Sequence, residues 1–183
     1  MATEQEADTD PLADVVRRCQ LDSSKARHEL YQACCQDVYN LMVRMVGAQD
    51  AVDLSQQVFL QTYRKIKQFD GRSQFKTWLY RLSVNEALQF LRKQKKKQRE
   101  LKHEPIDSKP SIVQIKDAQD MMEEALKKLD PLLKTVFLLK EVEGLSYKEI
   151  AEATGIPEGT VGSRLNRARK ELKQILAELG WEE

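Results

Sequence analysis

The amino-acid sequence predicts an all-α protein, in which an exposed linker joins two small helical domains. Apolar residues recur at spacings of three and four along most of the chain, which is the period of an amphipathic helix. Glycine and proline, with 7 and 5 copies in 183 residues, are scarce inside these periodic segments. No segment alternates apolar with polar residues for long enough to predict a strand.

The N-terminal domain is predicted to cover residues 1–95 and to contain four helices. Each helix is expected to start at a residue whose side chain can accept a hydrogen bond from a free backbone N–H group. Gly47 is the expected end of the second helix, because glycine readily adopts the left-handed conformation that follows a helix. The expected starts are Asp10, Ser23 or Ser24, Asp50 and Ser73.

Positive charge is concentrated in the second half of this domain and at the start of the linker that follows it. Between Arg64 and Lys102 there are thirteen Lys or Arg against three Asp or Glu, a local balance of +10 in a chain whose net charge is +1. Binding to phosphates depends on the field within a Debye length of about 8 Å, so a basic stretch can bind nucleic acid although the whole chain is nearly neutral.

Residues 96–118 are predicted to form the linker, since they combine a lysine-rich run with two prolines and show no apolar face. The C-terminal domain is then expected to cover residues 119–183. Both domains are small, and each must form its core from a few amphipathic helices.

A helix-turn-helix is predicted within the C-terminal domain. Ser146 and Glu149 form a capping box, Gly155 permits a left-handed turn, and Pro157 favours the first turn of the next helix. That helix has a polar face whose arginines can bond to guanine or phosphate in the major groove. An ordinary solvated face is the alternative. The candidate DNA contacts are Thr160, Ser163, Arg164, Asn166, Arg167 and Lys170.

Several classes of function are disfavoured by composition. Three cysteines and two histidines show neither zinc spacing nor a disulfide framework, so no metal or cofactor is predicted. The cysteines are interpreted as buried thiols, with a redox-active Cys34-Cys35 pair as the alternative. No nucleophile with a base and no carboxylate cluster supports an enzyme such as a nuclease. Without a long apolar run or a secretion signal, we expect a cytoplasmic protein that does not insert into membranes.

Two separated motifs resemble those of bacterial RNA polymerase sigma factors of the extracytoplasmic-function (ECF) group. The first comprises QQVFL at residues 56–60 and FDGRSQFKTWLYR at residues 69–81, similar to sigma region two. The second comprises GLSYKEIA at residues 144–151 and SRLNRAR at residues 163–169, similar to region four. The resemblance implies two helical domains that direct promoter-specific transcription without an enzymatic activity of their own.

The resemblance implies that region two opens the promoter and captures an unstacked base of the minus-ten element. An aromatic and polar loop suits this role, because stacking returns about 1 to 3 kcal/mol per base against a few kcal/mol for flipping it. Each aromatic could instead belong to the core, and for Trp78 the core interpretation is favoured. The candidate minus-ten contacts are Phe69, Arg72, Phe75, Trp78, Arg81, Asn85, Arg92 and Lys93.

The resemblance also implies protein partners. Asp53, Gln56 and Gln57 are expected to dock on the clamp helices of the largest subunit of core RNA polymerase, and region four on the flap of the second-largest subunit. An anti-sigma factor is a further expected partner. Gly162 departs from the family pattern, since relatives often have a cation there.

The closest alternative is a helix-turn-helix transcriptional regulator that acts without core polymerase. Its C-terminal domain could look the same, but its N-terminal half would have a ligand pocket or a dimerisation helix in place of a basic, aromatic loop and helix. A protein-protein adaptor would leave the polar face of the second helix without a purpose.

Overall fold

The computed structural model describes residues 10–101 and 118–181, and these form eight α-helices and one 3-10 turn at Ile66–Gln68. The all-α prediction is therefore confirmed. The N-terminal unit contains α1 (Ala13–Gln20), α2 (Ser24–Val46), α3 (Ala48–Lys65) and α4 (Phe75–Leu101). The C-terminal unit contains α5 (Ala118–Lys128), α6 (Pro131–Glu141), α7 (Tyr147–Thr154) and α8 (Glu158–Glu178).

Most helix ends of the N-terminal unit lie close to the predicted residues. Ser23 caps α2 by accepting from the Ala26 N–H group, and Gly47, with φ of 97°, ends it. The prediction for α4 was wrong in detail. This helix begins at Phe75, whose N–H group donates to the Asp10 carboxylate at 2.5 Å. The acceptor at the start of α4 therefore comes from the beginning of the chain instead of Ser73.

The N-terminal core is formed by one face of each of the four helices. Its fully buried members include Leu30, Leu41 and Met42 of α2, which pack against Val58 of α3 and Val84 of α4. The long helix α2 contacts α1, α3 and α4, and is therefore the centre of this unit.

Helix α4 continues well past the predicted start of the linker. It runs to Leu101, although the domain boundary was expected at residue 95, and residues 92–100 are all exposed. Helix propensity is high for Lys, Gln and Arg, so a run of these residues can extend a helix that is already anchored by its apolar part. The remainder of the expected linker, residues 102–117, lies outside the described residues.

The helix-turn-helix of the C-terminal unit has the predicted geometry. Ser146 and Glu149 form both hydrogen bonds of the capping box, and Gly155 has the left-handed φ of 73°. The buried stripe of α8 consists of the four residues expected from the spacing. These are Val161, Leu165, Ala168 and Leu172.

The two units pack directly on each other. Helix α7 lies against α4, and α5 and α6 lie against α2. Lys134 of α6 is only 6% exposed, and its Nζ donates to the Met45 carbonyl near the end of α2 at 3.1 Å. The sequence made no prediction about this arrangement.

Candidate nucleic-acid interface

The loop that precedes α4, residues 69–74, is held in place by two side chains from the start of the chain. Gln20 Nε2 donates to the Phe69 carbonyl at 2.8 Å, and Asp10 accepts from the Phe75 N–H group. Sequence reasoning missed both roles, because the bonded residues are 49 and 65 positions apart. No local pattern signals a hydrogen bond over such a distance.

Arg72 projects from the tip of this loop and is tethered there by Asp70. Its Nε donates to the Asp70 carboxylate at 2.5 Å, and its backbone N–H group donates to the same carboxylate at 3.2 Å. The Arg72 guanidinium lowers the pKa of Asp70 by hydrogen bonding. The arginine side chain is 89% exposed, so its cation stays available to a partner despite the ion pair.

Three aromatic rings cluster under the loop. Phe69, Phe75 and Trp78 have ring centroids 5.5 to 5.6 Å apart. Phe75 is fully buried, so the prediction that it contacts a base does not hold in this structure; its ring belongs to the core and supports the other two. Phe69 and Trp78 are half-buried, and each ring therefore lies partly in the core and partly in solvent.

A cleft of about 380 Å³ lies beside these rings. Four of the predicted minus-ten residues line it, namely Phe69, Arg72, Trp78 and Arg81. The cleft thus combines two aromatic edges with two cations. Its opposite wall includes the carboxylate residue Glu152 of α7, which belongs to the C-terminal unit.

The other predicted minus-ten residues lie further along α4. Asn85 is exposed one turn beyond Arg81, while Arg92 and Lys93 are exposed about two turns later. A helix of 27 residues spans about 40 Å. The predicted contacts are therefore spread along a row that leads away from the cleft, and only the first part of the row forms a pocket.

The polar face of α8 is only partly free. Ser163, Asn166 and Lys170 are exposed. Arg167 is exposed too, but its Nε donates to Glu171 at 2.7 Å, and this bond raises the pKa of the arginine. Thr160 is half-buried, and its hydroxyl donates to the Pro157 carbonyl at 2.7 Å. Three of the six predicted contacts are thus exposed and make no bond to a carboxylate in the described part of the chain.

Arg164 differs from the other predicted contacts on α8. The residue is half-buried, and its Nη1 atom is buried without a hydrogen-bond partner among the described residues. A buried, unsatisfied guanidinium nitrogen is costly. A hydrogen bond from Nη1 to an acceptor would therefore stabilise the Arg164 side chain.

The structure limits the size of the side chain at position 162. A Cβ atom at Gly162 would lie 3.4 Å from the ring of Tyr147, the first residue of α7. The Nζ atom of Lys140, a residue of α6, lies 5.7 Å from the centre of the same ring. The tyrosine therefore occupies the space into which a longer side chain at position 162 would extend.

A separate exposed face on α3 carries the residues expected to bind polymerase. Asp53, Gln56 and Gln57 are all exposed. Val52 and Leu60, which are 49% and 56% exposed, extend the same side of the helix with apolar surface. Neither residue was among the predicted polymerase contacts, although both fall outside the buried stripe of α3 and could have been recognised by that mismatch.

Neither a metal-ligand cluster nor a membrane-spanning helix occurs in the described parts of the chain. Within residues 10–101 and 118–181, no three His, Cys, Asp or Glu side chains are grouped so as to hold a metal ion. None of the helices in those ranges is long and apolar enough to cross a membrane.

Comparison with known protein families matches each unit to a domain. Residues 30–97 match the family model "Sigma-70 region 2", and residues 119–172 match "Sigma-70, region 4". The first match covers α2 to most of α4, and the second covers α5 to the buried stripe of α8. Fold and site therefore define a two-domain protein of the sigma-70 class.

Relatives that match most of the chain identify the group within the sigma-70 class. The ECF RNA polymerase sigma-E factor of Haemophilus influenzae is 33% identical over 179 residues, which covers 90% of this chain and 95% of that protein. The sigma-E factor of Escherichia coli is 33% identical over 170 residues, with 85% and 89% covered. The chain belongs to the ECF group of RNA polymerase sigma factors.

Solved structures share the fold. The sigma factor RpoE, crystallised with the anti-sigma factor NepR from Bartonella quintana, matches with a TM-score of 0.68 and 24% identity, covering 82% of this chain and 96% of that one. CnrH in complex with the cytosolic domain of CnrY matches with a TM-score of 0.67 and 22% identity, covering 90% and 96%.

Proposed function

We propose that this ECF sigma factor directs transcription initiation by reading the minus-ten element with α4 and its preceding loop and the minus-thirty-five element with α8. One observation carries the proposal. Sigma-70 regions 2 and 4 occur in order on one chain, and each places an exposed row of cations and polar groups on a helix. A regulator that acts without polymerase would not need the first of these.

The cleft beside Trp78 is the proposed site for an unstacked base of the minus-ten element. Its two half-buried rings supply a stacking surface, which is tolerant of base identity, and its volume of about 380 Å³ is enough for one nucleobase. Arg72 and Arg81 border the cleft and are placed to bond the adjacent phosphates. Arg92 and Lys93 extend this phosphate contact along α4.

Helix α8 is the proposed reader of the minus-thirty-five element. Arg167 presents an exposed guanidinium group that can bond two atoms of a guanine at once. The half-buried Arg164 would turn outward to make the same contact. Ser163, Asn166 and Lys170 flank them on the exposed face and suit contacts to bases or phosphates. Binding to DNA would exchange the Arg167 bond to Glu171 for a bond to an acceptor on the nucleic acid.

Two surfaces are proposed to bind core RNA polymerase. The exposed face of α3, with Gln56 flanked by Val52 and Leu60, suits the clamp helices of the largest subunit. An apolar groove of about 390 Å³ on the C-terminal unit suits an apolar segment of the flap of the second-largest subunit. Phe137 and Leu172 line this groove. An anti-sigma factor is a further proposed partner, and the chain is proposed to work on DNA in the cell interior.

Transcription with purified components tests this function. Core RNA polymerase would transcribe a supercoiled library of host genomic fragments with and without the protein, and the 5′ ends of the transcripts would be mapped. We expect added protein to produce a new set of start sites with common upstream elements. Because a bidentate contact contributes about 1 to 3 kcal/mol of discrimination, Arg164→Ala and Arg167→Ala should each reduce use of these sites about tenfold.

Lys128→Ala provides the matched control, since Lys128 is an exposed cation in the same unit but lies on α5. It should leave the start sites and their strength unchanged. An unchanged transcript set on adding the protein would contradict the proposal, and so would an equal loss from the control. Binding to the same fragments in the absence of polymerase, with no effect on its start sites, would favour the regulator.

A further inference from the structure

The loop at residues 69–74 is bonded at its first end to helix α1. The side-chain amide of Gln20 donates to the Ile66 carbonyl at 3.0 Å and to the Phe69 carbonyl at 2.8 Å. An amide group has two N–H bonds to donate, and both are used on the backbone that leads into the loop. The last residue of α1 therefore fixes where the loop begins.

The second end of the loop is bonded to Asp10, which lies just before α1. Its Oδ2 atom accepts from the Phe75 N–H group at the start of α4, at 2.5 Å. Its Oδ1 atom accepts from the Leu12 N–H group at 2.9 Å. Negative charge is favourable here, because free N–H groups at the start of a helix carry partial positive charge. One carboxylate thus joins the start of α1 to the start of α4.

Between these two ends, a cavity separates the loop from α1. It has a volume of about 610 Å³, and its walls include Arg17 of α1 and Gly71 of the loop. Helix α1 itself is anchored, since Val16 and Cys19 are buried in the N-terminal core. A loop whose ends are fixed to a packed helix has fewer conformations than a free one. The bonds at its two ends therefore restrict the shape of the loop.

The shape of the loop matters for the cleft proposed to hold an unstacked base. Phe69 and Arg72 of the cleft belong to the loop, whereas Trp78 and Arg81 belong to α4. The spacing between the two pairs therefore depends on the bonds that hold the ends of the loop. The side chains that make those bonds are not among the residues that line the cleft.

We propose that Asp10 and Gln20 are positioning residues that set the base preference of the minus-ten cleft. They act through the loop, by holding Phe69 and Arg72 at a fixed distance from α4. Stacking tolerates any base, but discrimination between bases needs polar groups that are held in place by their neighbours. Loss of either bond should therefore weaken the preference for one base more than it weakens promoter use in general. This inference rests on the proposed function of the cleft.

The first test measures base preference in transcription. One start site from the genomic library would be placed on a supercoiled plasmid, and each base of its minus-ten element would be replaced in turn. Gln20→Met keeps the length of the side chain without its donors, and Asp10→Ala removes the acceptors. Each should lower the ratio of transcription from the original promoter to that from the most damaging replacement by about fivefold, the net effect of one hydrogen bond.

Asp10→Asn is the conservative variant, because its amide oxygen can still accept one of the two bonds. It should retain more of the base preference than Asp10→Ala. Asp14→Ala is the matched control, since Asp14 is an exposed acid on α1 that bonds to Arg17 and Arg18, and it should leave the ratio unchanged. Replacements in the minus-thirty-five element should reduce transcription to the same extent in every variant.

Hydrogen exchange in the free protein, followed by mass spectrometry, is the second test and needs no polymerase. Peptides that cover residues 66–75 should exchange about fivefold faster in Gln20→Met and Asp10→Ala than in the parent, because the loop opens more readily when a bond at its end is missing. Peptides within residues 84–91 of α4 should exchange at the parental rate, as expected if the N-terminal core is intact.

Three results would overturn the inference. The first is faster exchange of the loop with an unchanged ratio between promoters, because the position of the loop would then not determine base preference. The second is unchanged exchange, because the two side chains would then not hold the loop. The third is an equal loss at every promoter, which is the effect of a general loss of stability. Failure of the proposed function would appear separately, as a lack of new start sites with the parent protein.

Discussion

Cys34 and Cys35 are adjacent in sequence but lie in different surroundings. Successive helical residues point about 100° apart, so Cys34 faces the core and is 1% exposed, while Cys35 faces outward and is half-buried. Burial raises the pKa of the Cys34 thiol to about 11. The structure therefore supports the interpretation of Cys34 as a structural thiol and disfavours a redox pair.

Thiol labelling should separate these residues. In the native protein, we expect a disulfide reagent to modify Cys35 within minutes and to leave Cys34 intact from about pH 7 to about pH 9, because a buried, protonated thiol is a poor nucleophile. Mass spectrometry of peptides would identify the modified residue. Cys35→Ser should abolish the fast reaction. Rapid modification of Cys34 under these conditions would show that α2 opens readily or that the thiol is ionised.

The pairing of α7 with α8 depends on a small residue in the second helix. Tyr147 is 42% exposed, and its ring lies over Gly162. Glycine within a helix costs roughly 1 kcal/mol relative to alanine. Glycine at this position lowers the helix propensity of α8, but it leaves room for the Tyr147 ring in the crossing between the two helices.

Gly162→Ala should raise the free energy of unfolding by up to about 1 kcal/mol, because a single methyl group meets the Tyr147 ring at an ordinary contact distance. Denaturant titration followed by circular dichroism would measure it. Gly162→Arg should be less stable than Gly162→Ala, since its longer side chain must displace the ring. Gly159→Ala is the comparison, as nothing lies within 4 Å of a Cβ atom there. A destabilised Gly162→Ala would show that the ring cannot shift.

The docking of the two units places a lysine in an unusual environment. Lys134 is buried beside the end of α2, and burial, with a smaller contribution from Lys127, lowers its pKa from the ordinary value of 10.5. Its bond to the Met45 carbonyl is favourable, because the last carbonyls of a helix carry partial negative charge. Glu123 and Arg44 line the same groove.

The docking of the two units should therefore depend on pH. A group whose pKa is lowered by docking binds fewer protons in the docked state, so docking strengthens as pH rises towards 10.5 and weakens as pH falls. Tyr80 acts in the opposite sense, since burial and Glu143 raise its pKa, but only above its ordinary value of 10.0. A distance measured between spin labels on the two units should accordingly show more docked molecules at about pH 10 than at about pH 7.

Lys134→Met is the matched variant for this prediction, because methionine has a similar length and carries no charge. It should remove the dependence on pH between these values and increase the docked fraction at about pH 7. If the pH dependence persists in the variant, it must come from another titrating group. That result would contradict the role of Lys134.

Local patterns predicted much of the fold and part of the site. The capping box at Ser146, the turn at Gly155 and the stripe of α8 follow from contacts within a few residues, which a sequence displays directly. Four residues of the cleft were also predicted as base or phosphate contacts, whereas Phe75, predicted with them, has its ring in the core. A large aromatic residue on a helix can lie in the core or line a cleft, and only the packing of its neighbours decides between the two.

What the sequence determined by itself is therefore the set of helices, the two domains and the two exposed polar rows that are proposed to face DNA, since these depend on periodicity and local hydrogen bonds. Tertiary structure decided how Asp10 and Gln20 hold the loop, where Phe75 and Lys134 are buried, and how α7 covers α4. Such contacts join residues far apart in the chain. Their energy comes from the removal of particular groups from water, which depends on three-dimensional neighbours rather than on position along the chain.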